Sequence, residues 1–289
     1  MHPTSAAARS IINTLAAASP RAAGRVAFEL WRRPLVRGRV RAAEHAVHTA
    51  ARRRVLDIDG RDVITYEWGD GRRPVLLVHG WRSRASRFSG FVSRLLELGY
   101  SPVSYDALGH GGTAGPAGTI LDHQAIIRRL AERHGRFDGV VAHSLGVPFA
   151  LYALRHGVAA GRVVAISGVC EFDYLVDAFC SELGLRPGVD RALRLAIERR
   201  LFAGDPGIWS RFSAADPAGW GDGPLLVVHN DTDTVVDPAQ AGLLTAAYGP
   251  RARRIATTGL GHGRILSDPR VIEDAVAFLA EPSTAAPRR

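Results

Sequence analysis

Three side chains able to act as nucleophile, acid and base occur along this sequence in the order serine, aspartate, histidine. Ser144 lies in Ala142-His143-Ser144-Leu145-Gly146, an imperfect form of the pattern G-x-S-x-G with alanine in the first glycine position. That pattern is typical of a sharp turn between a strand and a helix, where the serine hydroxyl is exposed beside the helix N-terminus. Taken alone, the pentapeptide favours a serine that only packs at such a turn.

A serine hydroxyl is a weak nucleophile at neutral pH, so it needs a base, and the base needs a partner that fixes its tautomer. His262, flanked by two glycines, is a candidate base, because it follows the last predicted strand in a loop flexible enough to aim the ring. A lone loop histidine is more often a solvated side chain. The candidate acids are Asp231, Asp233 and Asp237, which lie in one loop. Capping of that loop is the alternative role of all three.

The sequence offers little for a metal or a cofactor. It contains no H-E-x-x-H segment and no clustered His/Cys spacing, the patterns that indicate a zinc site. The glycine-rich segment GHGGTAG (109–115) lacks the Lys-Ser/Thr ending of a phosphate-binding loop and the strand and helix context of a dinucleotide site. We therefore expect no metal and no cofactor.

Short apolar segments separated by helical patterns must position the candidate residues. Segments 54–60 and 62–69 are predicted strands joined at Asp59-Gly60, a hairpin turn signal. The later strands alternate with helices, which is typical of a mainly parallel sheet covered on both faces. The sequence therefore predicts one α/β domain with a mixed sheet. The remaining predicted strands span 74–80, 101–109, 137–144, 161–167, 224–230 and 251–259.

One long interval without a strand breaks this alternation. Residues 170–215 contain two helical patterns with Pro187-Gly188 near their junction. Helices inserted at one end of such a sheet commonly form a lid over a pocket, whereas an ordinary crossover needs only about a dozen residues. We therefore interpret 170–215 as a helical cap inserted into a core formed by 51–169 and 216–282.

Residues 1–50 are predicted to form a basic helical arm. Residues 1–54 contain 11 arginines and two glutamates, an excess equal to the formal net charge of +9 of the whole chain. Pro20 and Pro34 limit the arm to short amphipathic helices. We expect these helices to pack on the main domain with an arginine-rich face in solvent, and peripheral attachment to an anionic membrane surface is the alternative.

The same arm bears on the location of the protein in the cell and on its macromolecular partners. The apolar clusters of the arm are too short for a membrane span, and they make a weak signal peptide. No recognition motif or aromatic-basic interleaving accompanies the arginines, so we expect no binding to nucleic acid. We expect a cytoplasmic protein, and the sequence leaves its oligomeric state open.

Five short motifs follow five of the predicted strands, and in this order they resemble the α/β-hydrolase superfamily over roughly Arg54 to Leu279. The resemblance implies an eight-stranded sheet, an active site at the carboxyl ends of its strands, and a helical cap above that site. The motifs are HGW (79–81), DALGHGGTAG (106–115), AHSLG (142–146), NDTDTVVD (230–237) and GLGHGRIL (259–266).

The resemblance also assigns catalytic roles. Ser144 matches the family's nucleophile, and His262 matches its catalytic histidine. The acid of the family lies in the pattern G-x-x-D-x-x-V, which selects Asp233 here, with Asn230 in the glycine position and Asp231 as the main competitor.

Acyl transfer further requires donors for the developing oxyanion and a pocket for the acyl group. The backbone N–H groups of Leu145 and Trp81 match the oxyanion donors of similar enzymes. Trp81 could also line the acyl pocket or simply be packed. Aromatic and apolar residues of the cap are too many for one narrow helical stripe, so we expect Phe172, Leu175 and Phe179 to face a mainly apolar pocket. The alternative is that they pack only against the second cap helix.

Four further residues near these motifs are expected to support the site. His79, Asp106 and His110 match family positions around it, and we expect them to stabilise turns and loops. His143 precedes Ser144, but neighbouring positions on such a turn point in different directions. We therefore expect it to be a supporting or packing residue rather than the base.

These inferences predict a serine hydrolase that cleaves carboxylic esters through an acyl-enzyme intermediate, acting on a small-molecule ester or other acyl substrate. Dehalogenase and epoxide hydrolase reactions are disfavoured, because those relatives resemble this fold with an aspartate at the Ser144 position. Thioesterase, amidase, acyltransferase, perhydrolase and C–C hydrolase reactions fit the same three residues. A ligand-binding homologue without turnover is the alternative from a different class.

Overall fold

The computed structural model describes residues 3–34, 37–220 and 223–282, which divide into two compact units. The helical unit comprises the described residues up to Pro34 together with Glu171–Ser213. The α/β unit comprises the described residues between Arg37 and Cys170 and those from Ala214 onwards.

An eight-stranded sheet forms the centre of the α/β unit, in the order β1-β2-β4-β3-β5-β6-β7-β8. The pairs β1/β2 and β2/β4 are antiparallel, and the others are parallel. The predicted fold class and all eight strands are confirmed. The strands are β1 (Arg52–Ile58), β2 (Arg61–Glu67), β3 (Pro74–Val78), β4 (Ser101–Asp106), β5 (Phe137–His143), β6 (Ala160–Ile166), β7 (Leu225–Asn230) and β8 (Ala252–Thr257).

The hairpin at the start of the sheet has a loop of two residues. Ile58 pairs with Arg61, and the two residues between them, Asp59 and Gly60, have φ angles of 52° and 77°. Left-handed backbone at both positions is what the tightest hairpin turns require, and Asp-Gly tolerates it. This turn confirms the hairpin signal in the sequence.

Helices of the α/β unit cover both faces of the sheet. The helices of this unit are α3 (His45–Thr49), α4 (Ser89–Glu97), α5 (Ile120–His134), α6 (Gly146–Arg155), α10 (Ala239–Tyr248), α11 (Gly261–Arg264) and α12 (Pro269–Ala280). The helices of the helical unit are α1 (Pro3–Ala18), α2 (Pro20–Trp31), α7 (Tyr174–Leu183), α8 (Val189–Leu201) and α9 (Ile208–Arg211). Successive strand residues alternate between two cores: Val140 and Ala142 pack with α5, α6 and α10, whereas Val141 packs with α4 and α12. The carboxyl ends of the central strands are thereby held in fixed register.

The helical unit joins the N-terminal helices to the insertion. Helices α1 and α2 separate at Pro20, where the Ser19 side chain accepts a hydrogen bond from the Ala22 N–H group and caps α2. Helix α2 lies so close to α8 that a Cβ atom on Gly24 would come within 2.7 Å of Ala192. The first part of the predicted arm forms one compact unit with residues 171–213. That the arm packs on the main domain stays a prediction.

Asn13 of α1 connects the first helix to the turn between α7 and α8. Its amide nitrogen donates to the Gly184 carbonyl at 3.1 Å, and its amide oxygen accepts from the Arg186 N–H group at 2.9 Å. The two bonds satisfy one carbonyl and one N–H group of the turn between the two helices. No helix within residues 3–34, 37–220 and 223–282 is both long and apolar enough to cross a membrane.

Candidate active site

Ser144 occupies the turn between β5 and α6 with a left-handed backbone, at a φ angle of 57°. A non-glycine residue in this conformation is strained and persists only where the surroundings enforce it. Two glycines make room for it: a Cβ atom on Gly80 would lie 2.7 Å from the Ser144 Cβ, and one on Gly146 would collide with the Val78 carbonyl. The turn therefore has the conformation of the predicted nucleophile elbow.

Asp233 lies in the loop after β7, and its carboxylate accepts three hydrogen bonds. Oδ1 accepts from the N–H groups of Val235 and Val236 at 2.9 and 3.1 Å, and Oδ2 accepts from His262 Nδ1 at 2.8 Å. Burial acts to raise the pKa of Asp233, but the hydrogen bond from His262 and those from the two backbone groups outweigh it and lower this pKa to about 2. Asp233 is therefore ionised at neutral pH and holds a proton on Nδ1 of the ring.

The imidazole of His262 stands at the start of α11, a single helical turn after β8. Because Nδ1 donates to Asp233, Nε2 is the nitrogen that remains for a proton from a nucleophile. Among the described residues, no hydrogen bond joins the Ser144 hydroxyl to His262. The ring of His143, the residue before Ser144, lies 4.7 Å from the His262 ring. Hydrogen bonds of this kind are often long in free enzymes.

Asp231 and Asp237, the other two candidate acids, do not meet His262. Asp231 is exposed, 4.0 Å from the Arg254 guanidinium, and its backbone N–H group donates to the Thr257 carbonyl. The Asp237 side chain accepts a hydrogen bond from the Ala239 N–H group at 2.8 Å, at the start of α10. The structure therefore brings Asp233 alone of the three to the histidine.

The two predicted oxyanion donors lie on adjacent segments. A Cβ atom on Gly80 would lie 3.2 Å from the Leu145 nitrogen, so the peptide group before Trp81 runs directly beside the start of α6. His79 holds this peptide group: its Nδ1 donates to the Gly80 carbonyl at 2.8 Å, and its Nε2 accepts from the Ala107 N–H group at 3.0 Å. Since a peptide is planar, fixing the Gly80 carbonyl also fixes the direction of the Trp81 N–H group.

Asp106 at the end of β4 is fully buried and organises the loop that follows it. Its Oδ1 accepts from the Ala85 N–H group at 2.8 Å. Its Oδ2 accepts from Tyr66, Arg84 and the Gly112 N–H group at 2.9, 3.0 and 2.7 Å. These bonds give Asp106 the kind of structural role expected of it.

His110 lies in the same loop, beside two rings that the sequence also singled out. Its ring is 5.6 Å from that of His79 and 5.0 Å from that of Trp81. Its Nδ1 donates to the Leu108 carbonyl at 2.9 Å, and burial is the main cause that lowers its pKa to about 4. A neutral, buried ring held in this way supports the loop.

The predicted pocket residues are distributed over both units. Trp81 is half-buried in the α/β unit, edge-on to the ring of His110. Phe172 is buried in the helical unit, where its ring lies 5.3 Å from Phe212 and 5.9 Å from Trp209. Leu175 and Phe179 of α7 are partly exposed. That these residues bind an acyl group stays a prediction.

Sequence reasoning did not assign a function to two buried polar residues at the end of β7. His229 donates from Nε2 to the Val236 carbonyl at 3.1 Å and lies 3.5 Å from the Asp233 carboxylate. Asn230 accepts from the Leu260 N–H group at 3.0 Å. The sequence signal that could have identified them is a polar His-Asn pair at the end of an apolar strand.

Within the described ranges, no three His, Cys, Asp or Glu side chains are grouped so as to hold a metal ion.

Comparison with known proteins gives the family. A model of the alpha/beta hydrolase family matches residues 75–275. A non-heme haloperoxidase of Rhodococcus erythropolis is 36% identical over 109 residues, which cover 36% of this chain and 39% of that protein. The chain thus spans about two fifths of the length of the curated relatives it matches.

Solved structures of low sequence identity share the fold. The esterase RhEst1 from Rhodococcus sp. ECU1013 has a TM-score of 0.57 at 18% identity and covers 80% of this chain and 99% of its own. A structure from a study of Nitrososphaera gargenis carboxylesterases has a TM-score of 0.57 at 17% identity, over 78% and 98% of the two chains. At these identities the likeness shows the fold alone. Because the family model covers more than half of the sequence, this chain belongs to the alpha/beta hydrolase family.

Proposed function

We propose that the protein is a serine hydrolase that cleaves carboxylic esters through an acyl-enzyme intermediate. The observation that carries the proposal is the hydrogen bond between Asp233 and His262, next to a strained turn that holds Ser144. An ionised aspartate, an imidazole whose Nδ1 is bound to that aspartate and a serine at a helix N-terminus are the three parts of an acyl-transfer triad.

The reaction proceeds in two halves. Ser144 Oγ attacks the ester carbonyl while its proton moves to His262 Nε2, and the tetrahedral intermediate expels the alcohol, which takes that proton. Water then attacks the acyl-enzyme, again giving a proton to His262, and the carboxylic acid leaves as Ser144 regains its hydrogen. Asp233 stabilises the imidazolium in both halves and is not itself protonated.

The developing oxyanion requires donors that are fixed before the reaction. The Leu145 N–H group lies at the N-terminus of α6, where the helix dipole favours negative charge. The Trp81 N–H group belongs to the peptide whose carbonyl is bound by His79. Loss of one such donor typically lowers kcat by about 10²–10³-fold.

The test is to label purified protein with a fluorophosphonate probe and to measure turnover of p-nitrophenyl esters of increasing acyl length. Wild type should label and hydrolyse, whereas Ser144→Ala should not label and should lose about 10³–10⁶-fold in turnover. Ser210→Ala is a matched control, because it removes the same hydroxyl from an exposed serine of α9, whose Oγ donates to the Gly207 carbonyl at 3.2 Å. Folded wild-type protein that neither labels nor hydrolyses would indicate a ligand-binding homologue.

A second candidate reaction is favoured by the relative named a non-heme haloperoxidase. Hydrogen peroxide in place of water would attack the same acyl-enzyme, break the bond between the acyl carbon and Ser144 Oγ, and release a peracid. Peracid formed from an ester and hydrogen peroxide, measured beside acid formation with Ser144→Ala as the blank, separates the two reactions. Acid as the sole product at high peroxide would exclude the second.

A further inference from the structure

The loop that carries His262 has little rigidity of its own. Gly259 and Gly261 have φ angles of 73° and 66°, and Gly263 follows the histidine. A Cβ atom on any of the three would have no atom within 4 Å. Glycine loses more conformational freedom on folding than other residues, and here packing does not restrain it. Specific hydrogen bonds must therefore hold the backbone that carries and directs the His262 imidazole.

Asn230 supplies one such bond from the end of β7. Its side chain is fully buried, and its Oδ1 accepts from the N–H group of Leu260, two residues before His262, at 3.0 Å. The amide is oriented by its other end, because Nδ2 donates to Thr232 Oγ1 at 2.9 Å. Glycine, which the family pattern has in place of Asn230, has no side chain that could form either bond.

His143 supplies a second bond from the end of β5. Its Nε2 donates to the backbone carbonyl of His262 at 2.9 Å. Burial and the neighbouring His262 lower the pKa of His143 to about 3, so the ring is neutral at working pH and its one proton lies on Nε2. Because His143 directly precedes Ser144, this bond connects the elbow itself to the histidine loop.

We propose that Asn230 and His143 are positioning residues that clamp the backbone on both sides of the His262 ring. One bond fixes the N–H group of residue 260 and the other fixes the carbonyl of residue 262, so the ring between Asp233 and Ser144 keeps its direction. Both bonds end on backbone atoms of the loop. The inference rests on the proposed function only in taking His262 as the base.

The first test compares Asn230→Ala with Asn13→Ala. Asn13 also bonds one backbone N–H group and one carbonyl, but in the helical unit. Asn230→Ala should lower kcat by about 10- to 100-fold, as misplacement of a catalytic group by about 1 Å does, with KM changed less than about 3-fold. Amide hydrogen exchange of the peptide containing Leu260 should accelerate. Asn13→Ala should change neither quantity.

A milder pair of variants covers the case in which the buried Asn230→Ala does not fold. Thr232 is exposed, so replacing it should leave folding intact. Thr232→Val removes the acceptor that orients the Asn230 amide and should lower kcat by about 2- to 5-fold, a fraction of the effect of misplacement. Thr232→Ser keeps the hydroxyl and should behave as wild type.

The bond from His143 is tested by rescue. His143→Leu removes the donor and should lower kcat, whereas His143→Gln keeps an N–H donor and should recover a large part of it. Unchanged exchange at Leu260 together with unchanged kcat in Asn230→Ala, or an equal loss in Asn13→Ala, would overturn the proposal. Wild-type protein without labelling or turnover would overturn the proposed function instead, and hydrogen exchange would still report whether Asn230 holds the loop.

Discussion

Two buried aspartates stand at the carboxyl ends of strands, and they differ in the kind of group they hold. Asp106 after β4 accepts from two backbone N–H groups, Tyr66 and the Arg84 guanidinium. Asp233 after β7 accepts from two backbone N–H groups and from His262. Arginine stays charged in proteins, whereas imidazole exchanges a proton near neutral pH. Only the second arrangement can support proton transfer.

We expect the largest difference between Asp233 and Asp106 in the catalytic activity of their variants. Asp233→Asn should lower ester turnover by about 10²–10⁴-fold, because the amide favours the wrong tautomer of His262. Asp231→Asn, two residues away and exposed, is the matched control and should stay within about 3-fold of wild type, as surface substitutions usually do. Steady-state kinetics on one p-nitrophenyl ester measures both. If Asp231→Asn is the more damaging variant, the acid is Asp231.

Substitution of Asp106 should instead lower the stability of the fold. Asp106→Asn leaves the Arg84 guanidinium, whose side chain is 10% exposed, without its buried counter-charge, which typically costs about 3–5 kcal/mol. Urea unfolding measures this. Asp138→Asn is the control, because its ion pair with Arg73 is exposed on both sides and such pairs contribute about 0–1 kcal/mol. Equal losses in the two variants would show that the Asp106 cluster does not stabilise the fold.

The smallest predicted effect concerns pH. The pKa of Asp233 is about 2 in the folded protein against an ordinary value of 3.8, so the unfolded chain binds more protons between these values. The stabilisation is therefore complete above about pH 5 and is lost as pH falls through 4 towards 2. It amounts to about 2 kcal/mol. The difference in unfolding free energy between wild type and Asp233→Asn should shrink over this range, and a constant difference would contradict it.

The sheet could be predicted from the sequence, because each buried strand is a short apolar run bounded by turn residues. The association of α2 with α8 could not. An amphipathic pattern shows that one face of a helix is buried, but it does not name the partner. Here the close contact of the two helices depends on Gly24 and Ala192, two small residues far apart in the sequence. A contact between two distant residues produces no repeating pattern along the sequence that could predict it.

The sequence predicted those parts of the candidate site that consist of side chains in recognisable motifs. Ser144, Asp233 and His262 lie in recognisable motifs, and the structure brings the last two into a hydrogen bond. The bonds from Asn230 and His143 end on backbone atoms, which every residue has. Their partners therefore leave no mark in the sequence, and only the fold reveals them.

The bond between Asn13 and Gly184 spans 171 residues of sequence. During synthesis at roughly 5–20 residues per second, α1 and α2 leave the ribosome about 8–34 seconds before the segment that covers them. Helices form in about a microsecond. For almost all of that interval, α1 and α2 therefore lack the contacts with residues 171–213 that cover their apolar face. Until residues 171–213 are synthesised, the apolar face of α1 and α2 therefore stays open to aggregation and to chaperones.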